Sequence, residues 1–327
     1  MRPASVSYHA GRSGVKLLST AAAPDRPAAP LSQGLEIMTR YSIVGATGTV
    51  GTPLLHSLAG LIAAGDSIQA ITSDRAKAGR SVDGVAWVHL DLTTGEGLAP
   101  ALANTDRLFL LSPPGHADQD RLMTPLIAEA TRRGLQKVVL MTALGVDASD
   151  GPMRRVELAL ERSGLPHAIV RPNWFMQNFH TFWRHGIVTH DTLALPAGAA
   201  AVSFIDARDI GEVAARLLVD DRHARRAFDL TGPQAHTHAE AAQILSAAVG
   251  REIHYVDIDP AQFHRDLVAA GLPGDYADLL VQLMAFVKAG YNARVSPDVE
   301  TLLGRPARTL AAYARESKDA LARASAA

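Results

Sequence analysis

Three glycines at a fixed spacing, in Gly45-Ala46-Thr47-Gly48-Thr49-Val50-Gly51, follow a short apolar run, Tyr41–Val44. They precede Val50, Leu54, Leu58, Leu61 and Ile62, which recur at helical spacing. A glycine-rich turn from strand to helix lets the backbone bend tightly and approach a pyrophosphate. The helix start then offers free N–H groups and the positive end of its dipole. Gly45, Thr47, Gly48, Thr49, Val50 and Gly51 are therefore the expected seat of a dinucleotide. The spacing is Gly-x-x-Gly-x-x-Gly rather than Gly-x-Gly-x-x-Gly. The competing reading is a glycine turn without a ligand.

The next strand, Ser67–Thr72, leads into Ser73-Asp74-Arg75-Ala76-Lys77. Thr72 stands where an acid would bond the ribose hydroxyls of NAD. Ser73, Arg75 and Lys77 are close enough to meet the additional phosphate of NADP, and Asp74 opposes it. The balance predicts NADP(H), with NAD(H) left open; otherwise Arg75 and Lys77 belong to a solvated loop. The ends of later strands face the same crevice in a doubly wound sheet. They bring Asp91, Leu92, Leu111, Ser112, Pro113 and Thr142 to the cofactor. Asp91 is read as a partner of the adenine amino group or as a helix cap.

These residues need elements to hold them. Strands are expected at Ala86–Leu90, Arg107–Leu111, Lys137–Thr142 and Ala168–Val170. Helices are expected at Glu96–Ala103, Asp118–Arg133 and Met153–Ser163. Alternation of this kind implies crossover units and a parallel sheet covered on both faces. Beyond Arg171 it loosens into a strand at Val202–Ile205, a helix from Asp209 to Val219, a short strand at Phe228–Leu230 and a strand at Glu252–Val256. Thr237-His238-Ala239-Glu240 fits a capping box opening a helix to Val249, and Asp259-Pro260 fits a helix start. The fold class is α/β: a doubly wound parallel-sheet Rossmann fold with a smaller C-terminal substrate-binding region. Residues 38–172 form the dinucleotide-binding part. Residues 173–327 form mostly the substrate part, with about 202–232 returning to the Rossmann core.

Residues 1–37, with Pro24, Pro27 and Pro30 and no persistent period, read as a disordered extension before Met38. A transit-like reading rests on Arg2, Arg12 and Lys16 in Ser/Ala-rich sequence. The net charge of −1 argues against a nucleic-acid or anionic-membrane surface. With no cysteine, disulfides and thiolate chemistry are excluded. No apolar run approaches the ~20 residues that span a bilayer, so the expected location is cytoplasmic.

The glycine motif, Val139–Val146, Glu157–Pro166, Arg171–Asn178, Phe204–Ile210, Leu230–Pro233 and Gly304-Arg305-Pro306 together resemble the NmrA-like, atypical short-chain dehydrogenase/reductase family, over about residues 40–314. The resemblance implies quinone, azo-dye, triarylmethane-dye, isoflavone-type or iminium reductases, or a non-enzymatic transcriptional co-regulator. It also implies that Pro172 and Asn173 lie against the nicotinamide ring. A homo-oligomer is compatible with it, since members occur in more than one oligomeric state.

Ordinary short-chain dehydrogenases exchange a proton through a tyrosine followed four residues later by lysine. No tyrosine here has lysine at that spacing. Reductase relatives carry His-x-x-x-Glu on the corresponding helix; Glu157 matches, but Met153 holds the His position. The isoflavone-type lysine position is Asp150. Two readings follow. In one, a conjugated or cationic acceptor takes hydride, and catalysis is mostly positioning. In the other, the protein binds NADP(H) and signals its redox state to a partner.

Trp174, Phe175, Phe179 and Trp183, with Met176 and Phe182, form a concentrated aromatic stretch in a chain with only 5% aromatic residues. With Asn173 they are the expected pocket for a small aromatic or conjugated substrate, closed by Met284, Phe286 and Tyr291; the alternative is core packing. Catalytic candidates are few: Thr142 and Asn173 as hydrogen-bond donors, and Glu157 as an orienting carboxylate. Their alternatives are a strand-end hydroxyl, a turn residue, and an ion pair with Arg154 or Arg162. No metal is expected: His180 and His185 are five apart, off helical ligand spacing, and His236 and His238 lack a third ligand.

Overall fold

A computed structural model describes residues 38–76, 81–82 and 84–323. The readings of residues 1–37 and of Lys77 lie outside these residues. Tyr41, Ser42, Ile43 and Val44 end β1 (Arg40–Val44), and all four are buried. The glycine turn leads to α1 (Gly51–Ala59), then β2 (Ser67–Thr72), the two-residue β3 (Ser81–Val82) and β4 (Val85–His89). After them come α2 (Leu98–Ala101), β5 (Arg107–Leu110), α3 (Gln119–Arg133), β6 (Lys137–Met141), α4 (Pro152–Arg162) and β7 (His167–Pro172). The strand order is β10-β7-β6-β5-β1-β2-β4-β3, where β10 (Arg226–Leu230) returns from the far part of the chain. Among the described residues, seven strands of this sheet are parallel and β3 is antiparallel, which defines a Rossmann-like α/β fold. The chain winds outward from β1 in both directions, so a crevice opens at the carboxyl ends beside β1.

Both faces are covered, so inner strands read as continuous apolar runs. Successive residues nevertheless serve opposite faces. Phe109, Val139, Ala168 and Val170 pack under α1 and α6 (Ala207–Val219). Leu108, Leu110, Val138, Leu140 and Ile169 pack under α3 and α4. Gly211 lets α1 and α6 touch, since a side-chain carbon there would lie 2.7 Å from the Leu54 nitrogen.

The remaining elements surround a second core. They are α5 (Arg184–His190), β8 (Thr192–Leu195), β9 (Ala201–Val202), β11 (His236–Thr237), α7 (His238–Val249), β12 (His254–Asp257), α8 (Pro260–Ala269) and α9 (Gly274–Lys288). The chain ends with α10 (Asp298–Leu303), packed on the sheet's α6 face, and α11 (Leu310–Glu316), packed in the second core. Thr237 and Glu240 form the expected capping box, and Asp259 caps α8.

Several expected elements differ. The helix at Glu96–Ala103 shrinks to α2, because Gly95 and Gly97 adopt left-handed backbone and Asp91 N–H bonds the Glu96 carbonyl. The strand at Val202–Ile205 pairs only through β9, with β11; Ile205 makes a lone bridge to Phe175. Helix α6 starts at Ala207 rather than Asp209, capped by Asp206. Elements α5, β8 and α9 to α11 lack a strong local signal and were not anticipated.

Candidate functional site

Gly45 sits at φ +71°, and Gly48 N–H closes a turn onto its carbonyl at 2.9 Å. A side-chain carbon at Gly51 would lie 2.1 Å from the Gly45 oxygen, so only glycine permits this loop. Among the described residues, no side chain caps the start of α1. Helix dipole and loop backbone thus face outward together. The loop borders an open groove of about 520 Å³. One wall is Thr47, Gly48, Thr49, Thr52, Pro53 and His56; the other is Gln177, His180 and Arg208.

The second wall was missed from sequence. It is built by side chains anchored behind it. Gln177 donates to Asp206 Oδ1 at 2.9 Å and accepts from Ala207 N–H at 2.9 Å. Arg208 bridges Asp206 and Glu316, both at 2.6 Å. Hydrogen bonding to Asp206 pushes the Arg208 guanidinium up from its ordinary value. Burial pushes the Asp206 carboxyl up, but Arg208 and Gln177 outweigh it and hold it low. His180 Nδ1 lies 2.5 Å from the hydroxyl of buried Tyr313, and burial lowers the imidazole's pKa. Gln177 and Arg208 lie within motifs that carry the family resemblance, but nothing local marks their direction.

The other expected cofactor residues line the carboxyl edge of the sheet. Leu111 packs on the glycine loop, with Cδ1 3.2 Å from where a carbon on Gly45 would be. Ser112 donates weakly to the Pro113 carbonyl at 3.3 Å. Ser73 is exposed just past β2. Arg75 is ion-paired with Glu96. Asp91 caps no helix: its carboxylate accepts from Thr93 N–H at 2.8 Å and Thr93 Oγ1 at 2.6 Å. Those bonds hold its pKa low. Leu92 lines a smaller cavity of about 160 Å³ with Leu98, Leu122 and Leu126.

The catalytic candidates are committed elsewhere. Glu157 is fully buried and accepts four hydrogen bonds: Thr142 Oγ1 at 2.7 Å, Arg171 at 2.9 and 2.8 Å, and Arg154 at 2.7 Å. The expected Arg162 partner is replaced by Arg171 from β7, which also meets Asp147 at 3.1 Å. Thr142 has one hydroxyl proton, and it is donated to Glu157. Asn173 uses all four amide positions. Its Nδ2 donates to Ser203 Oγ and the Asn292 carbonyl, both at 2.8 Å. Its Oδ1 accepts from Trp174 N–H at 2.9 Å and Asn292 Nδ2 at 2.8 Å. In this structure all three side chains are thus engaged by partners inside the protein. Pro172 ends β7 beside Leu230, and its carbonyl accepts from Leu144 N–H at 3.0 Å.

The aromatic stretch divides. Phe179 and Trp183 are core residues, with ring centroids 5.1 Å apart, and Phe179 also meets Phe204 at 5.2 Å. Met284 is likewise buried in that core. These three side chains therefore pack in the second core. Trp174 and Phe175 are only partly buried, with Trp174 stacked 5.9 Å from Trp183. Phe286 and Tyr291 are exposed and meet edge-on at 6.1 Å. Among the described residues, no group of three or more His, Asp or Glu is placed to hold a metal. No described helix is long and apolar enough to cross a membrane.

A parallel sheet wound both ways from β1 and a Gly-x-x-Gly-x-x-Gly loop opening on a groove define a Rossmann-like class of nucleotide-binding proteins. The NmrA-like family profile matches residues 39–314, and this chain belongs to that family. It is 34% identical over 280 residues to the NAD(P)H azoreductase of Xenophilus azovorans, spanning 84% of this chain and 96% of that protein. Two solved structures share its fold. The triphenylmethane reductase of Citrobacter sp. complexed with NADP(H) aligns with TM-score 0.73 and 21% identity, over 85% of this chain and 99% of that one. The NADPH-dependent quinone oxidoreductase of Escherichia coli complexed with NADPH aligns with TM-score 0.74 and 24% identity, over 84% and 99%.

Proposed function

We propose that this chain is a cytoplasmic NAD(P)H-dependent reductase, preferring NADPH, that delivers hydride to a conjugated or cationic acceptor of the quinone, iminium, azo or triarylmethane type. No Tyr-x-x-x-Lys pair takes part. One observation carries the reading: the glycine-loop groove is open, while Thr142, Glu157 and Asn173 have their hydrogen bonds committed inside the protein. Such a protein can hold a donor and an acceptor in contact, but it offers no acid–base group at these positions. That suits an acceptor whose reduction needs hydride placed accurately and whose proton comes from water. The whole-length relation to an NAD(P)H azoreductase supports it.

The residues fit a dinucleotide. The Gly45–Gly51 loop and the start of α1 would hold the pyrophosphate, with Gln177, His180 and Arg208 facing it across the groove. Asp91 and Leu92 would meet the adenine end; Ser73 and Arg75 would meet its ribose. Leu111, Ser112, Pro113 and Pro172 would border the nicotinamide end. When bound, the cofactor supplies the hydride. Trp174 and Phe175 present the aromatic face on which a flat substrate would stack. In this reading residues 38–172 bind the cofactor, and residues 173–327 shape most of the substrate side.

The test is incubation of purified protein with NADPH and a panel of quinones, iminium compounds, azo dyes and cationic dyes, following nicotinamide absorbance. Turnover on at least one class is expected. Background rates throughout, with NADPH binding demonstrated in the same samples, would overturn the reductase. The same committed groups would then fit a regulator that binds NADP(H) without turnover.

A further inference from the structure

The sequence places no acid at the end of β2: Thr72 stands there, and its hydroxyl accepts from Asp74 N–H at 3.1 Å. The structure brings one from another strand. Thr72 is in register with His89, and Leu90 N–H bonds the Thr72 carbonyl at 3.0 Å. The loops leaving β2 and β4 therefore start side by side. The second loop folds back on itself, with Gly95 N–H bonding the Asp91 carbonyl at 2.8 Å and Asp91 N–H bonding the Glu96 carbonyl at 2.9 Å. This turn delivers Glu96 to Arg75, and the two side chains form an ion pair. Both remain more than half exposed, at 53% and 68%.

We propose that Arg75 and Glu96 form a two-way cofactor selector: Arg75 takes the 2′-phosphate of NADPH, and Glu96 takes the 2′-hydroxyl of NADH. This rests on the dinucleotide reading of the groove. An exposed pair contributes little, so either partner can be drawn away at small cost. A phosphate at the ribose binds Arg75 bidentately as a carboxylate does, but carries up to twice its charge. Glu96 then swings into solvent. Without that phosphate the ion pair stays formed, and the carboxylate lies beside the ribose as a hydrogen-bond acceptor. That is the task an acid at position 72 would otherwise perform. The backbone bonds that hold the 91–97 turn use no atom of the Glu96 carboxylate. Replacing the carboxylate therefore leaves the turn in place.

The experiment titrates the full chain with NADPH and with NADH, each followed by nicotinamide fluorescence, for wild type, Glu96→Gln, Arg75→Ala and Asp74→Asn. The expected signature is a mirror image. Glu96→Gln tightens NADPH by roughly five-fold, the worth of an exposed ion pair, and weakens NADH by a similar factor. Arg75→Ala weakens NADPH at least about ten-fold, the loss of a charged hydrogen bond, and leaves NADH unchanged or tighter. The selector is overturned if Glu96→Gln moves both cofactors in the same direction or moves neither, or if Asp74→Asn produces the mirror image instead. A wild-type chain that binds neither dinucleotide would defeat the cofactor reading itself, which is a separate result.

Discussion

Two corners at the carboxyl edge of the same sheet are built on opposite plans. At the glycine loop, backbone turns outward, no described side chain caps α1, and a groove of about 520 Å³ is left open. At the ends of β6 and β7, Thr142, Glu157, Arg171 and Asn173 are almost wholly buried; Thr142 and Arg171 bond Glu157, and Asn173 bonds Ser203, Asn292 and Trp174. The second corner is where ordinary short-chain dehydrogenases hold their proton-transfer groups. Here its polar groups are engaged within the protein. A polar group becomes available for chemistry only when its neighbours leave it a free valence.

The sharpest way to break this contrast is Glu157→Ala. It strands Arg171 beneath the surface and should cost about 3 kcal/mol in urea denaturation. That is the lower end for a broken buried pair, because Asp147 still meets Arg171. Activity per folded molecule should be retained; a large loss of kcat at unchanged stability would put the corner back into catalysis. Gly48→Val acts at the open corner. Its side chain fills the groove, and NADPH affinity should fall about a hundredfold, near 2.7 kcal/mol, with the melting temperature little changed. Unaltered affinity would mean that the groove is not the seat of the pyrophosphate.

The second core tests a buried group with no compensation. His238 is almost fully buried, its Nδ1 has no partner among the described residues, and burial pushes its pKa down to about 4. Between the ordinary histidine value and about 4, the unfolded chain binds a proton that the folded chain refuses. Stability is therefore unaffected above neutrality and falls as pH drops, by about 2 kcal/mol at pH 5. In His238→Phe that part of the acid loss should disappear from pH-dependent unfolding curves. The smallest effect is expected of Thr142→Val: about 1 kcal/mol of stability, from the hydrogen bond to Glu157, and less than a twofold change in reductase rate. A rate falling more than tenfold would show that Thr142 serves a ligand after all.

What was legible in the sequence was local. Alternating apolar runs and helical periods identified the doubly wound sheet, because the period of a strand or helix is written in consecutive residues. The glycine turn was legible because left-handed backbone and close approach need glycine within one short stretch. The caps at Thr237 and Asp259 were legible because each spans only four residues. Beyond β7 the amphipathic period of α9 is weak, and α10 and α11 run only six and seven residues, so these three left no comparable trace. Aromatic clustering at 174–183 was visible, but which rings face the core was not, because that depends on Phe204 and on α7.

The sequence by itself therefore determined the class of fold, the phosphate-binding turn and the absence of a Tyr-x-x-x-Lys pair. Tertiary structure alone decided which polar groups remain available. Arg171 reaches Glu157 from 14 residues away, Asn292 reaches Asn173 from 119, and His180 meets Tyr313 across 133. Each is a common surface residue type, and none carries a local signal of its partner. Hydrogen-bond saturation is a property of the neighbours a side chain acquires when elements pack, and here packing closed one corner of the crevice and left the other open.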